Sequence, residues 1–159
     1  MLKKIVRRWL GLEVVAEIRL SDSVDSTSLS LLPTRGRRTD VGYDVKSIHD
    51  LTIHPGDTAF IHTGIELSVP RGWYWTIEGR SSLNKAKVFV VRPIVDATYT
   101  GEVMVVLSNQ SDEIFVISKG DRVAQIILHR AFDIQFKHVD EFSSKYNERG
   151  RNGWGSTGR

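Results

Sequence analysis

From Val14 to Leu128 the apolar residues of this chain recur at every second position, in short runs cut by turn-forming residues. That period matches the pleat of a strand and not the 3.6-residue turn of a helix, so it constrains the fold more than any other feature. In 13–20, Val14, Ala16, Ile18 and Leu20 alternate with Glu13, Glu17 and Arg19. In 58–69, Ala59, Ile61, Ile65, Leu67 and Val69 share one face, and Phe60, His62, Glu66 and Ser68 share the other. Further short strands are expected over 73–78, 87–91, 102–108, 113–118 and 122–129. Pro55-Gly56-Asp57, Pro70-Arg71-Gly72, Asn109-Gln110-Ser111-Asp112 and Lys119-Gly120-Asp121 punctuate them. Many short strands with regular turns and almost no helix predict an all-β sandwich, jelly roll or barrel.

The two ends follow other rules. In 1–10, Leu2, Ile5, Val6, Trp9 and Leu10 recur at helical spacing opposite Lys3, Lys4, Arg7 and Arg8. This predicts a basic amphipathic extension over 1–12, ahead of a single β-domain over 13–142 whose segment 21–40 is an irregular loop. From Ser143 the chain is polar and rich in breakers, and 143–159 reads as a C-terminal arm. Its last eleven residues hold four glycines, three arginines, Ser156, Thr157 and Trp154, with no apolar face to bury. Glycine lets backbone N–H groups approach an anion closely. Arginine matches phosphate oxygens in pairs, and an indole offers a flat surface to a base. The arm is therefore expected to close over a nucleotide, and to be disordered without one.

Composition excludes several classes. A chain of 159 residues without cysteine has no disulfide, no thiol nucleophile and none of the usual zinc sites. The five histidines show no metal-ligand spacing and read as structural or solvated. The net charge of +3 favours an anionic ligand, but there is no aromatic-basic interleaving of the kind that binds single strands, so nucleic acid is not an expected partner. No run of 18 apolar residues predicts a membrane span. Met1-Leu2-Lys3-Lys4 opens like a signal peptide, but Arg7, Arg8 and Glu13 interrupt the apolar stretch such a peptide needs. The expectation is an unprocessed, intracellular chain, cytoplasmic by default.

The polar residues that fall in or beside the turns carry the chemistry. Gly42-Tyr43-Asp44 follows the first loop, and Gly79-Arg80-Ser81-Ser82 ends the strand of Trp73 and Trp75. Asp96-Ala97-Thr98-Tyr99-Thr100-Gly101 precedes an apolar strand, and Gly120-Asp121-Arg122 opens one that carries Gln125. Each alone is an ordinary turn or solvated corner. Together they supply carboxylates, arginine, serines, an aromatic ring and glycine-rich backbone, which are the groups that a triphosphate and its Mg²⁺ require.

In this order the segments resemble the five motifs of the trimeric all-β dUTPases. Asp40–Val45, Gly79–Leu83, Ile94–Val103, Gly120–Ile127 and Arg149–Gly158 resemble the first to the fifth, and the likeness runs from about residue 14 to the end. The resemblance implies a distorted jelly roll, a homotrimer with three shared sites, and Mg²⁺-dependent hydrolysis of dUTP to dUMP and pyrophosphate. It implies that Asp96 is the general base for the attacking water and that Tyr99 stacks under the deoxyribose and excludes a 2′-hydroxyl by contact. Asp44 would hold the Mg²⁺ shell through water. Arg80, Ser81 and the Ser82 backbone would grip the phosphates, and Gln125 would reach them from another subunit. Arg149 would bind the γ-phosphate, Trp154 would cover the uracil, and Gly155, Ser156 and Thr157 would close over the phosphates.

The chain departs from the family pattern in places. Trp154 stands where phenylalanine is usual, Thr98 and Arg151 replace frequently acidic residues, and Asn152 replaces a glycine. The segment Asn84–Val95, which corresponds to the uracil-pocket hairpin, looks short and carries Arg92-Pro93 in place of the usual glycine. Base preference is thus left open: alternatives are a pyrophosphatase of relaxed specificity or a dCTP deaminase-like activity. For the latter, Val106 occupies the position of the required proton-shuttling glutamate. A non-catalytic nucleotide-sensing or protein-interaction module on the same scaffold is the remaining alternative.

Overall fold

The longest strand forms the spine of the fold. In the computed structural model, which describes residues 14–91 and 93–143, an 11-residue strand pairs antiparallel with an 8-residue one. In chain order the strands are β1 (Glu17–Leu20), β2 (Tyr43–Lys46), β3 (Leu51–Ile53), β4 (Thr58–Ser68), β5 (Trp73–Glu78), β6 (Val88–Val90), β7 (Ile94–Asp96), β8 (Glu102–Asn109), β9 (Phe115–Ile117) and β10 (Arg122–Arg130). A 3-10 turn at Leu29–Leu31 and a short helix α1 (Ser81–Lys85) complete the set.

The strands make two four-stranded antiparallel sheets, ordered β1-β4-β8-β6 and β2-β10-β5-β7, with a small β3-β9 pair beside them. The inner faces meet in one apolar core. Ile61, Ile65, Val103, Val105 and Leu107 come from the first sheet, and Val45, Trp75, Ile77, Ala124 and Ile126 from the second. The period-two pattern is realised directly, since β8 alternates half-buried and buried residues along its whole length. The fold is thus the all-β jelly roll.

The differences from the expected strands have local causes. The strand expected over 13–20 pairs only from Glu17, because its partner β4 ends at Ser68, just before Pro70. Strands β2, β3 and β7, each three or four residues long, are absent from the sequence expectation. Leu31 lies in the core, so the loop 21–40 is pinned at its middle. After β10, residues 131–143 form no strand and are exposed. Phe132, Ile134, Phe136 and Phe142 all face solvent, Phe136 at 94% exposure. The expected N-terminal helix, and all but the first residue of the expected arm, lie outside the described residues.

Candidate active site

Register on the second sheet decides which polar groups meet. Gln125 on β10 is directly opposite Asp44 on β2 and Glu78 on β5, so the three share the outer face at one end of the sheet. Just beyond Glu78, Arg80 caps α1 in extended conformation and turns its side chain back onto β2. Arg80 Nε donates to Asp44 Oδ1 at 2.9 Å, and Arg122 Nη1 donates to Asp44 Oδ2 at 3.2 Å. Arg80 Nη1 also donates to the Arg122 carbonyl at 3.2 Å. Gln125 Nε2 donates to the Gly79 carbonyl at 3.1 Å.

Gly42 makes this convergence possible. A Cβ at Gly42 would stand 2.0 Å from Gln125 Oε1 and 2.7 Å from its Cδ, so the β2 entry presses bare backbone against that amide. The exposed Ser81 and Ser82 open α1 next to Arg80, where first-turn N–H groups have no intrahelical acceptor. Two guanidiniums hold the Asp44 carboxylate there, and the Glu78 carboxylate shares the face. The Asp44 and Arg80 side chains are only 17% and 22% exposed, which strengthens the pairing between them.

Asp96 and Tyr99 sit elsewhere. Asp96 ends β7 opposite Tyr74 on β5, on the same outer face as Asp44 and Gln125. Its side chain is exposed and, among the described residues, accepts no hydrogen bond. The Tyr99 N–H donates to the Asp96 carbonyl at 3.1 Å, closing a turn that carries the half-exposed Tyr99 ring. Tyr99 Oη donates to the Glu102 carbonyl at 2.9 Å. Because Arg80 lies six residues beyond Tyr74, Asp96 and Arg80 are on the order of 15–20 Å apart at ~3.3 Å per strand residue. One chain therefore brings together Asp44, Arg80, Ser81, Ser82 and Gln125 at one end of the face, and Asp96 and Tyr99 at the other.

Arg149, Trp154, Gly155, Ser156 and Thr157 lie outside the described residues. Sequence reasoning missed Arg122 and Gly42 as site residues, although both stand within segments singled out from the sequence. The signal for Arg122 is its place three residues before Gln125, on the strand that faces Asp44. Of the histidines, His62 Nδ1 lies 2.9 Å from Glu102 Oε2, and His129 Nε2 lies 3.0 Å from Thr76 Oγ1 with its ring stacked on Tyr74. Among the described residues no three His, Cys, Asp or Glu side chains group as a metal cage, and no helix is long and apolar enough to cross a membrane.

The chain is similar in sequence and fold to known proteins. The dUTPase family profile matches residues 30–158. A Saccharomyces cerevisiae deoxyuridine 5'-triphosphate nucleotidohydrolase is 43% identical over 129 residues, covering 80% of this chain and 86% of the yeast protein. The mitochondrial deoxyuridine 5'-triphosphate nucleotidohydrolase of Homo sapiens is 41% identical over 129 residues, and the match spans 80% of this chain and 50% of the human protein. Among solved structures, the Staphylococcus bacteriophage 80alpha dUTPase with dUPNHPP superposes with a TM-score of 0.78 at 25% identity, covering 91% of this chain and 99% of that one. The fold is also that of a point mutant of the dUTPase from phage phi11 of S. aureus, described with a structural Mg(II) ion, at TM-score 0.71 and 22% identity over 82% of this chain and 99% of that one.

Proposed function

The chain belongs to the dUTPase family, and from that premise we propose that it hydrolyses dUTP to dUMP and pyrophosphate by attack of water on the α-phosphorus. The observation that carries the residue assignment is the separation of two half-sites. An arginine- and amide-bearing cluster suited to phosphates and a carboxylate unpaired among the described residues share one face, out of reach of each other within a chain. Two copies that set the β7 end of one against the β2-β10 end of another would complete the site. This supports a homotrimer with shared sites, closed on itself by rotation. The apolar side chains of residues 131–143, open to solvent in one chain, also support assembly.

In this reading Asp96 takes the proton of the attacking water, an effect worth ~10²–10⁴-fold in rate. Its exposed carboxylate is free to accept. Arg80, Ser81 and the Ser82 backbone hold phosphate oxygens, Gln125 contributes an amide, and Tyr99 lies under the sugar. Arg149, Trp154, Gly155, Ser156 and Thr157 are assigned to closing over base and phosphates, and the water they exclude would strengthen every charge contact.

The donor set suits Mg²⁺. The ion prefers oxygen ligands, keeps several waters and takes most of its protein-side contacts from one or two carboxylates. Asp44 fits that role through water, as each of its oxygens accepts one arginine and retains a further lone pair. Bound there, Mg²⁺ would neutralise developing charge on the transferring group.

The test is pyrophosphate release with Mg²⁺ across the deoxynucleoside triphosphates and UTP. Selective turnover of dUTP supports the reading, equal turnover of dCTP or dTTP replaces it with a pyrophosphatase of relaxed specificity, and no turnover removes it.

A further inference from the structure

Glu102 has no part in the mechanism above, yet its carboxylate is held from three directions. Oε1 accepts the backbone N–H groups of Thr63 at 3.1 Å and Gly64 at 2.8 Å, and Oε2 lies 2.9 Å from His62 Nδ1. His62 is the last residue in register before the β4–β8 ladder is interrupted, and Thr63 and Gly64 lie in the interruption. The interruption is itself immobilised. Thr63 Oγ1 donates to the Val103 carbonyl, the Gly64 carbonyl accepts from Ser21 N–H at 2.9 Å, and the His62 carbonyl accepts from Ile48 N–H at 3.0 Å. Gly64 has φ +68°, and a Cβ there would come within 2.9 Å of Val24 Cγ1 and 3.0 Å of Ile48 Cγ2. Only glycine fits, so the bulge has one position.

The other end of Glu102 holds Tyr99. Its backbone carbonyl accepts the Tyr99 hydroxyl, and the ring lies against Gly101. A Cβ at Gly101 would stand 2.7 Å from Tyr99 Oη and 2.8 Å from its Cζ. An exposed aromatic ring on a turn is thereby tied through one residue to the rigid edge of the core.

We propose that Glu102 is a positioning residue and Gly101 a specificity-determining one, and that together they fix the Tyr99 ring so that the site distinguishes a 2′-deoxyribose triphosphate from its ribose counterpart. This rests on the reading, implied by the family resemblance, of Tyr99 as the sugar platform that excludes a 2′-hydroxyl; the hold of Glu102 and Gly101 on that ring is the added step. Its physical basis is that rejecting one added hydroxyl by contact requires a surface that does not retreat, because a displacement of ~1 Å is enough to lose such a contact.

The experiment measures binding of the non-hydrolysable α,β-imido analogues of dUTP and UTP by calorimetry, alongside kcat/KM for dUTP and UTP. It compares the wild type with Glu102→Ala, Glu102→Gln and Gly101→Ala. The wild type is expected to favour the deoxy analogue. Glu102→Ala and Gly101→Ala should each shrink that preference by roughly tenfold or more. Glu102→Gln keeps an acceptor for Thr63 and Gly64 and should restore most of it. A wild-type preference in folded Glu102→Ala overturns the proposal. If that variant does not fold, Gly101→Ala decides, since the three atoms nearest the added methyl all belong to Tyr99. An unchanged binding preference sinks the clamp alone, whereas absent dUTP turnover with a normal preference sinks only the hydrolytic reading.

Discussion

Asp44 Oδ1 accepts a hydrogen bond from Arg80 Nε at 2.9 Å, joining residues 36 positions apart in the chain. The same carboxylate also holds Arg122, so removing it leaves two guanidiniums facing each other without their counter-charge. The pair is partly buried and lies between the exposed and the fully buried regimes. Asp44→Ala is expected to lower stability by about 1–2 kcal/mol. It should also lower kcat/KM for the Mg²⁺-nucleotide far more than that loss of folded protein explains. Urea denaturation and steady-state kinetics at saturating Mg²⁺ check the two halves separately.

Asp96→Asn should leave analogue binding nearly intact while kcat falls by ~10²–10⁴-fold. Arg80→Ala should mainly weaken binding. Each variant alone is expected to be nearly inactive. Co-refolded in equal amounts, they should recover activity toward about a quarter of the wild-type value, the share of sites that draw an intact residue from each of two subunits. No recovery, with mixed oligomers verified by mass, would mean that Asp96 and Arg80 serve one chain's site.

Gly42 touches no proposed ligand, but its Cα is packed under Gln125. Gly42→Ala places a methyl 2.0 Å from the amide oxygen, so the side chain must swing away or the β2 entry must shift. Overpacking of this kind costs about 1–3 kcal/mol. The expected outcome is a lowered melting temperature together with a raised KM for dUTP, and Gln125→Ala in the same background should add little further loss of affinity. Independent, additive effects of the two substitutions would contradict the contact.

Asp25 gives the sign of one pH effect. Its Oδ1 accepts the Thr27 N–H and the Thr27 hydroxyl, both at 2.8 Å, and these bonds hold its pKa below the usual carboxylate range. A depressed folded-state pKa adds stability that is present above the unfolded value of ~3.9 and is lost as pH falls through the folded value. Carboxyl ¹³C titration should find the Asp25 midpoint below that of a free aspartate. In Thr27→Val the midpoint should move part of the way back, since the backbone bond remains.

The long strands were legible because burial on one face writes itself into alternation, as β8 does from Glu102 to Asn109. Strands β2, β3 and β7 were not, although the equally short β6 and β9 fall within expected runs. In β2, Tyr43-Asp44-Val45-Lys46, a single buried valine is surrounded by polar residues kept for the site, and in β7 Pro93 stands where a strand is normally broken. The candidate site residues could be proposed only as an ordered set, from the family that their motifs resemble. Their division into two groups could not be, because it depends on Gln125 lying opposite Asp44 and Tyr74 opposite Asp96. Register is a property of pairing and leaves no mark on either strand alone. The contribution of Glu102 was hidden for a related reason: its partners at 62–64 lie about forty residues upstream.

The greasy side chains of Phe132, Ile134, Phe136 and Phe142, left in water by a single chain, would tie folding to dilution in an assembly that covers them. If neighbours cover them, the melting temperature climbs with the logarithm of protein concentration and falls as the enzyme is thinned out, even though every bond inside each chain stays the same. Such a catalyst would then lose activity in very dilute assays without any residue of its site being altered.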